Sequence, residues 1–548
     1  MSTSITRRSF VKSVVVGAAG VTAANVMSSC APKQAGQIAS TPESTDASPK
    51  LQKADQTIDT DVLVVGIGTT GIMAAAAAAD KGKKVIAIDT ITGLAAGNCV
   101  STTAIWAVES TPEKQIDGYI TQKEAFLHIL QGTNYQSNGE ILRNLIANCG
   151  RAVDFLINNG LPFEYIFAAP GGFDSSDFMN RGGHAYKTYG KDRANAYQKI
   201  LDDRKVTCMW QTTAKALITE ENKVTGVQCS GADGKFIDIK AKAVILCTGG
   251  FMANMDMVNQ VFSGTRVLAL GSKACQGDGI RMAQAAGAQL GKNFSISLNE
   301  FGGANEKGSS KFAYIPGVIK FNSIYQLPIL GSLLVDNQGN RFMDEGKMCE
   351  ATMFTSEPAL RLGKYYLVVD QAYLKKISTT PVLDMVPAAS KMVPLLQKAL
   401  KGKVLTDIFT DFDLAIKEGW GFKADTLEAL ASTMKMDNLV ETLKTYNQSC
   451  KNKADDLFYT DEKYLTAMET GPFYMAEFQP SSWCSLGGIK TDGKCHALNA
   501  QNQIVPGLLV AGTDADLWTV PYFQGGSAQG FCVTSGLIAG EAAAETAV

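Results

Sequence analysis

Asp61-Val62-Leu63-Val64-Val65-Gly66-Ile67-Gly68-Thr69-Thr70-Gly71 is the stretch on which the reading of this chain turns. An apolar run bounded by glycines reads as a buried parallel strand, and Gly66, Gly68 and Gly71 fall at the spacing that turns a strand tightly into a helix. Ile72 to Ala79 follows, nearly all alanine, a strong helix former small enough to pack close on a sheet. Lys81 to Lys84 closes that helix, Val85 to Ile88 supplies a second strand, and Asp89 stands at its tip. An acid about twenty residues past the glycines is placed to accept hydrogen bonds from an adenosine ribose, while the glycine turn lets pyrophosphate approach the backbone. Glycines alone are often only a turn. Strand, glycines, alanine helix, second strand and acid in this order make a dinucleotide site.

The chain has 548 residues and 45% hydrophobic composition, enough for two domains with large cores. Lys plus Arg number 51 against 53 acids, a balance that gives no reason to expect nucleic acid as a partner. The twelve cysteines form no CxxC pair, so neither an iron-sulfur cluster, a structural zinc site nor covalent haem has its usual spacing, and no metal is expected. Most of them, such as Cys247 in an apolar run, read as small buried hydrophobes.

Thr6-Arg7-Arg8-Ser9-Phe10-Val11-Lys12 precedes a small and apolar stretch from Ser13 to Met27, too short for a membrane span. It resembles a twin-arginine export signal over residues 1–30, which implies a periplasmic or other extracytoplasmic location, with Cys30 at the position a lipid anchor would take. Residues 31–57 have the composition of a disordered tether. Helical periodicity runs through 113–160, with Gly160 as a stop. A loop enters another helix between His184 and Leu201, and strands are expected at Val206, Val224 to Cys229, Lys235 to Ile239 and Lys242 to Cys247. Gly277-Asp278-Gly279 opens a helix. From 295 to 469 the texture changes to Gly/Ser-rich loops, a strand at Leu333 to Asp336 and amphipathic helices near 392–402 and 425–450, which reads as an inserted domain. Pro506 to Gly512 places a last parallel strand, and 526–545 a closing helix.

Taken in order, Gly66 to Gly71, Asp89, Gly97-Asn98, the His184 segment, Thr248-Gly249-Gly250, Gly277-Asp278-Gly279, Gly339-Asn340-Arg341-Phe342, Gly487-Gly488 and Pro506 to Gly512 resemble the flavoprotein family of fumarate reductases, succinate dehydrogenases and 3-ketosteroid dehydrogenases. The resemblance implies an α/β fold: a Rossmann-like FAD-binding domain in two parts, 59–294 and 470–548, with an inserted α+β capping domain over 295–469 that serves the substrate. It implies FAD, contacted by Gly66, Gly68, Thr70, Gly71, Asp89, Gly97, Asn98, Ala214, Thr248, Gly249, Asp278, Gly512, Thr513, Asp514, Ser527 and Ala528. The flavin is expected to be non-covalent, because the only histidines are His128, His184 and His496 and none lies in the Gly97 to Ala104 loop. With no haem or flavin-carrier domain recognised, electrons are expected from a separate partner, a membrane quinol system or a cytochrome.

In that family a reduced flavin delivers hydride to an activated carbon-carbon double bond while an acid protonates the neighbouring carbon. Fumarate reductases clamp their dicarboxylate with arginines and histidines. Here the proton-donor arginine falls on Cys349, its relay partners on Tyr325 and Pro328, and the histidine pair on Trp483-Cys484. Neither Cys nor Trp replaces a guanidinium that grips a carboxylate with two hydrogen bonds. Tyr522-Phe523-Gln524-Gly525-Gly526 instead resembles the ketosteroid dehydrogenase branch, where a tyrosine and a glycine N–H polarise a ketone. The expectation is an enzyme acting on CH–CH groups, reducing a carbonyl-conjugated double bond in a neutral, bulky enone-type molecule. Tyr522, Tyr325 and Cys349 are the catalytic candidates, and Trp483, Trp518, Tyr522 and Gly526 the substrate-binding ones. The alternatives are a ketosteroid-type dehydrogenase working oxidatively and a reductase of fumarate or another unsaturated acid with a relocated carboxylate site.

Overall fold

The computed structural model of the chain describes residues 51–166, 182–262, 267–298, 323–346, 356–385, 401–517 and 525–547. Its centre is the first strand, Gln56–Val65, which pairs in parallel with Val85–Ile88 on one side and Phe236–Leu246 on the other. Ile504–Val510 extends the parallel set beyond Phe236–Leu246, and Thr207–Met209 extends it beyond Val85–Ile88. His496–Leu498 adds an antiparallel edge. Strands covered on both faces carry apolar residues on both, which is why Val62 to Val65, Val85 to Ile88 and Ala243 to Leu246 are continuous apolar runs, all buried. The fold is the expected α/β arrangement around a parallel sheet.

Two expected strands, Lys235 to Ile239 and Lys242 to Cys247, are one strand of 11 residues. Its first half pairs antiparallel with Lys223–Ser230, which forms a hairpin with Thr213–Glu220, and exposed Lys240 and Lys242 alternate with buried neighbours. Its second half is enclosed in the parallel sheet, so periodicity changes in mid-strand. The 113–160 region resolves into Gln122–Gly132, capped reciprocally by Thr121 and Glu124, and Gly139–Asn158, capped by Asn138. The segment after His184 begins as a strand, Gly183–Tyr186, before the helix Gly190–Asp203.

The first helix, Thr69–Asp80, lies against the closing helix, Ser527–Thr546. A Cβ on Gly536 would come within 2.3 Å of the Thr70 carbonyl oxygen, and one on Gly540 within 2.3 Å of that of Ala74. Gly536 faces Thr70 and Met73, Gly540 faces Ala74 and Ala77, and only a residue without a Cβ allows the two backbones so close. Both helices therefore begin at the same place, at the carboxyl ends of the parallel strands.

A four-stranded antiparallel sheet, in the order Leu334–Val335, Tyr365–Asp370, Phe473–Phe478, Gly421–Ala424, makes the second body of structure. One apolar cluster on it contains Tyr325, Phe412, Trp420 and Phe478, and another contains Leu430, Leu439, Leu443 and Tyr446. The helix expected near 392–402 falls mostly outside the described residues, and that near 425–450 is two, Leu427–Met434 and Leu439–Asn452. Arg341 is buried here between Glu345 (2.7 Å) and Asp455 (2.9 Å), its guanidinium over the rings of Tyr446 and Phe458. Burial alone would push the Asp455 carboxyl up; the hydrogen bonds and charge of Arg341 hold it down to about 2.

Candidate active site

Strand ends, helix starts and two loops enclose one long cleft. The turn after the first strand contributes Gly66, Gly68, Thr69 and Thr70; the 97–104 loop contributes Gly97, Asn98, Cys99 and Thr102; and the hairpin contributes Thr213 and Ala214. Thr248, Gly249 and Asp278 form the opposite wall, with Thr513, Gly526, Ala528 and Gln529 from the C-terminal part and Trp483 with Cys484 besides.

The three glycines of the first turn have different reasons for being glycine. Gly66 has φ +101°, and a Cβ there would lie 2.3 Å from the Cys247 carbonyl oxygen; one on Gly71 would lie 1.8 Å from the Gly66 carbonyl oxygen. These two are required by the chain's own packing. Gly68 has an ordinary backbone (φ −81°), and a Cβ on it would meet nothing within 4 Å. Its missing side chain leaves room beside the N-terminus of the first helix, whose first turn has no acidic residue and no side-chain cap. Uncapped N–H groups and the positive end of the helix dipole facing open space suit a pyrophosphate.

Asp89 lies across from them. Its Oδ2 accepts from the Ile67 N–H at 2.7 Å and its Oδ1 from that of Ile91 at 3.1 Å, so the carboxylate also fixes the glycine turn. Burial raises its pKa, and the backbone N–H groups pull against that rise. Asn98 receives the Ser272 N–H at 2.6 Å, tying the 97–104 loop to the opposite wall.

Of the neighbouring pair Thr513 and Asp514, Thr513 lines the cleft and Asp514 lies behind it, fully buried. Asp514 accepts from the N–H of Gly250 at 2.8 Å and from the N–H and hydroxyl of Thr248, and Gly279 N–H donates to that hydroxyl at 3.0 Å. Its carboxylate thus joins three wall segments instead of pointing at a ligand. Gly512 (φ +62°) and Gly71 likewise shape the wall from behind; a Cβ on Gly512 would lie 2.4 Å from the Thr70 hydroxyl. Ser527 is buried at the start of the closing helix, and Ala528 presents its face to the cleft. Asp278 lines the cleft and pairs with Arg281 at 2.5 Å on the exposed side.

Among the substrate and catalytic candidates, Trp483 and Gly526 line the cleft. Tyr325 does not: it is 3% exposed, stacked on Trp420 (centroids 5.9 Å apart, 6° between planes) and edge-on to Phe478. Its ring packs in the apolar cluster of the second sheet, away from the described lining of the cleft. Cys349, Trp518 and Tyr522 lie outside the described residues. Three groups not singled out from the sequence belong to the site. Gln529 donates to the Thr69 hydroxyl at 2.8 Å, Thr102 lines the wall, and Cys275 sits where a Cβ on Gly249 would come within 2.8 Å of its sulfur. The Ser101-Thr102-Thr103 run and a glutamine in the small-residue run Ser527-Ala528-Gln529-Gly530 were the available signals.

The FAD-binding domain family model matches residues 61–529. The chain belongs to this family. It is 27% identical over 467 residues to a vinyl phenol reductase of Lactiplantibacillus plantarum, covering 83% of this chain and 90% of that protein. It is 24% identical over 553 residues to an NADH:acrylate oxidoreductase of Vibrio harveyi, covering 88% of this chain but spanning only 50% of that longer protein. The open conformation of a flavocytochrome c3 fumarate reductase superposes with a TM-score of 0.64 at 20% identity, over 90% of this chain and 79% of the other, and shows the same fold. The protein is an FAD-dependent oxidoreductase acting on CH–CH groups, and the residues present fit the cofactor: open space at Gly68, the uncapped first helix and Asp89 at the second strand's tip.

Proposed function

We propose that this enzyme reduces a conjugated carbon-carbon double bond in a neutral, bulky substrate, with a carbonyl-conjugated enone as the preferred class. The observation that carries this reading is the chemistry of the cleft wall. Among the described residues that line it there is no Lys, Arg or His, and the resemblance to the fumarate reductases puts Trp483-Cys484 at their histidine pair. An indole offers apolar area and no charge, so it favours a flat, uncharged molecule. Similarity to a vinyl phenol reductase supports a substrate without a carboxylate.

Bound FAD, once reduced, supplies the hydride. The chain supplies the rest. Trp483 bounds the substrate end, the Gly526 turn offers backbone N–H groups, and the start of the closing helix sets its dipole toward negative charge that develops there. Tyr522, four residues before Gly526, is assigned the polarising or proton-donating hydroxyl. The reading includes export by the twin-arginine route, supported by Thr6 to Lys12 and the apolar stretch after it, with Cys30 as the anchoring position and a quinol or cytochrome as electron donor.

The test is anaerobic reoxidation of the dithionite-reduced, FAD-loaded protein by a panel of neutral enones, a vinyl arene, fumarate and acrylate. Neutral compounds are expected to reoxidise the flavin within seconds and the two acids at least 100-fold more slowly. Rapid reoxidation by fumarate or acrylate overturns the neutral-substrate reading in favour of an unsaturated-acid reductase, to which the acrylate relative points. Tyr522→Phe is expected to slow reoxidation by 10² to 10⁴-fold, the usual worth of a general acid, with flavin content intact.

A further inference from the structure

Arg193 lies on the helix Gly190–Asp203 and is completely buried. A guanidinium taken out of water ordinarily brings a carboxylate with it. The partners of Arg193 are all neutral. Nη1 donates to the carbonyl oxygens of Thr102 at 2.6 Å and Cys99 at 3.1 Å and to the Thr102 hydroxyl at 3.0 Å; Nε donates to the Thr188 carbonyl oxygen at 2.8 Å, and Nη2 to the same atom. The guanidinium carbon sits 3.7 Å from the centre of the Tyr186 ring and 4.8 Å from that of Tyr189.

Two walls of the cofactor cleft rest on this one charge. Cys99 and Thr102 are lining residues, so the guanidinium is one hydrogen bond behind the 97–104 loop. On the other side the Tyr186 hydroxyl meets the Gln529 amide at 3.3 Å, and that amide donates to the Thr69 hydroxyl at 2.8 Å; Gln529 and Thr69 also line the cleft, each in the first turn of its helix.

The cleft needs positive charge and shows little of it. Its described lining contains Asp89 and Asp278 and no cationic side chain, while a bound dinucleotide brings the negative pyrophosphate and gains more negative charge when its flavin is reduced. Among the described residues Arg281 is the other arginine bonded to a lining residue; it is half exposed and pairs with Asp278. A buried cation with no acid among its hydrogen-bond partners acts through a low dielectric on nearby charge, and the cleft lies just across Cys99 and Thr102. We propose that Arg193 is the counter-charge of the bound cofactor: it holds the 97–104 loop in place and raises the flavin's reduction potential by favouring the more negative, reduced form. The proposal rests on FAD occupying this cleft and is independent of which substrate the enzyme reduces.

The experiment measures the midpoint potential of the FAD-loaded full chain by anaerobic equilibration with a reference dye, for the parent, Arg193→Met, Arg193→Gln and Arg193→Lys. FAD affinity and the melting temperature of each apoprotein are measured alongside. The neutral variants are expected to lose at least tenfold in preference for reduced over oxidised flavin, a fall of about 30 mV for a two-electron couple. Arg193→Lys keeps the charge without the fork, and is expected to retain most of the parent potential even where its FAD affinity drops. Two neutral variants allow for one that fails to fold. A parent-like potential in either one overturns the proposal, as does a lysine variant that falls as far as the neutral ones, since that result makes shape the cause. The potential is read without substrate, so a negative result leaves the neutral-substrate reading intact, and failure of that reading leaves this one testable.

Discussion

Gly68 and Glu113 show how much a single residue can commit to. Because a Cβ on Gly68 would meet open space, Gly68→Ala is expected to leave the apoprotein's melting temperature unchanged, and to weaken FAD binding at least tenfold, by titration of apoprotein with FAD. Glu113 is 1% exposed with one carboxyl oxygen lacking a partner, close to the buried Ser110 to His184 hydrogen bond of 2.7 Å. Burial raises its pKa from 4.5 to about 8, against the pull of the Ser110 and Glu109 N–H groups. A carboxyl raised in the folded state contributes stability that is complete below pH 4.5 and is lost as pH rises to about 8. Glu113→Gln removes that loss. Its unfolding free energy relative to the parent is expected to improve between pH 5 and pH 9 by on the order of 3 kcal/mol, by urea denaturation at the two pH values. At this scale the sequence made residue types legible and orientation not. Thr513 and Asp514 are adjacent, and only the fold decides that one faces the cleft while the other braces the wall. Tyr325 has the composition of a site residue and the surroundings of a core one.

Elements were legible where their environment is uniform. The strand ends at Val62 to Val65, Val85 to Ile88 and Leu508 to Val510 are enclosed on both faces, so every position is apolar and the pattern is unmistakable. Thr213–Glu220 escaped notice because its faces differ and its C-terminal end is exposed, leaving alternation broken by threonines. Close contact between the first and closing helices depends on Gly536 and Gly540, a spacing visible in the sequence but without meaning until its partner is known. Gly540→Leu forces the helices apart at Ala74, and such overpacking typically costs about 1–3 kcal/mol. The variant is expected to melt several degrees lower by calorimetry and to lose FAD, since both helix starts line the cleft.

For the whole molecule, the cofactor is part of the fold's cohesion. Thr69, Gly97, Thr248, Trp483 and Gln529 come from separate stretches of the chain and meet around one cleft. A ligand that binds only the folded form stabilises it by about 2.7 kcal/mol at 100 times its Kd. Removing FAD is therefore expected to lower the melting temperature, and added FAD to restore it in proportion to the logarithm of its concentration, by differential scanning fluorimetry. A melting temperature indifferent to FAD would contradict the cleft assignment.

The pairing of the first helix with the closing one also sets a timetable. Asp80 ends the former and Ser527 begins the latter, so the nascent chain must extend from one to the other before the two can touch. At about 5–20 residues per second a ribosome needs on the order of half a minute or more for that span. Until then the part of the wall that Gly526, Ala528 and Gln529 supply is still unmade, and the complete cleft is available to the cofactor only once that helix has been synthesised. Any cellular step that requires the loaded protein has to wait for the helix Ser527–Thr546.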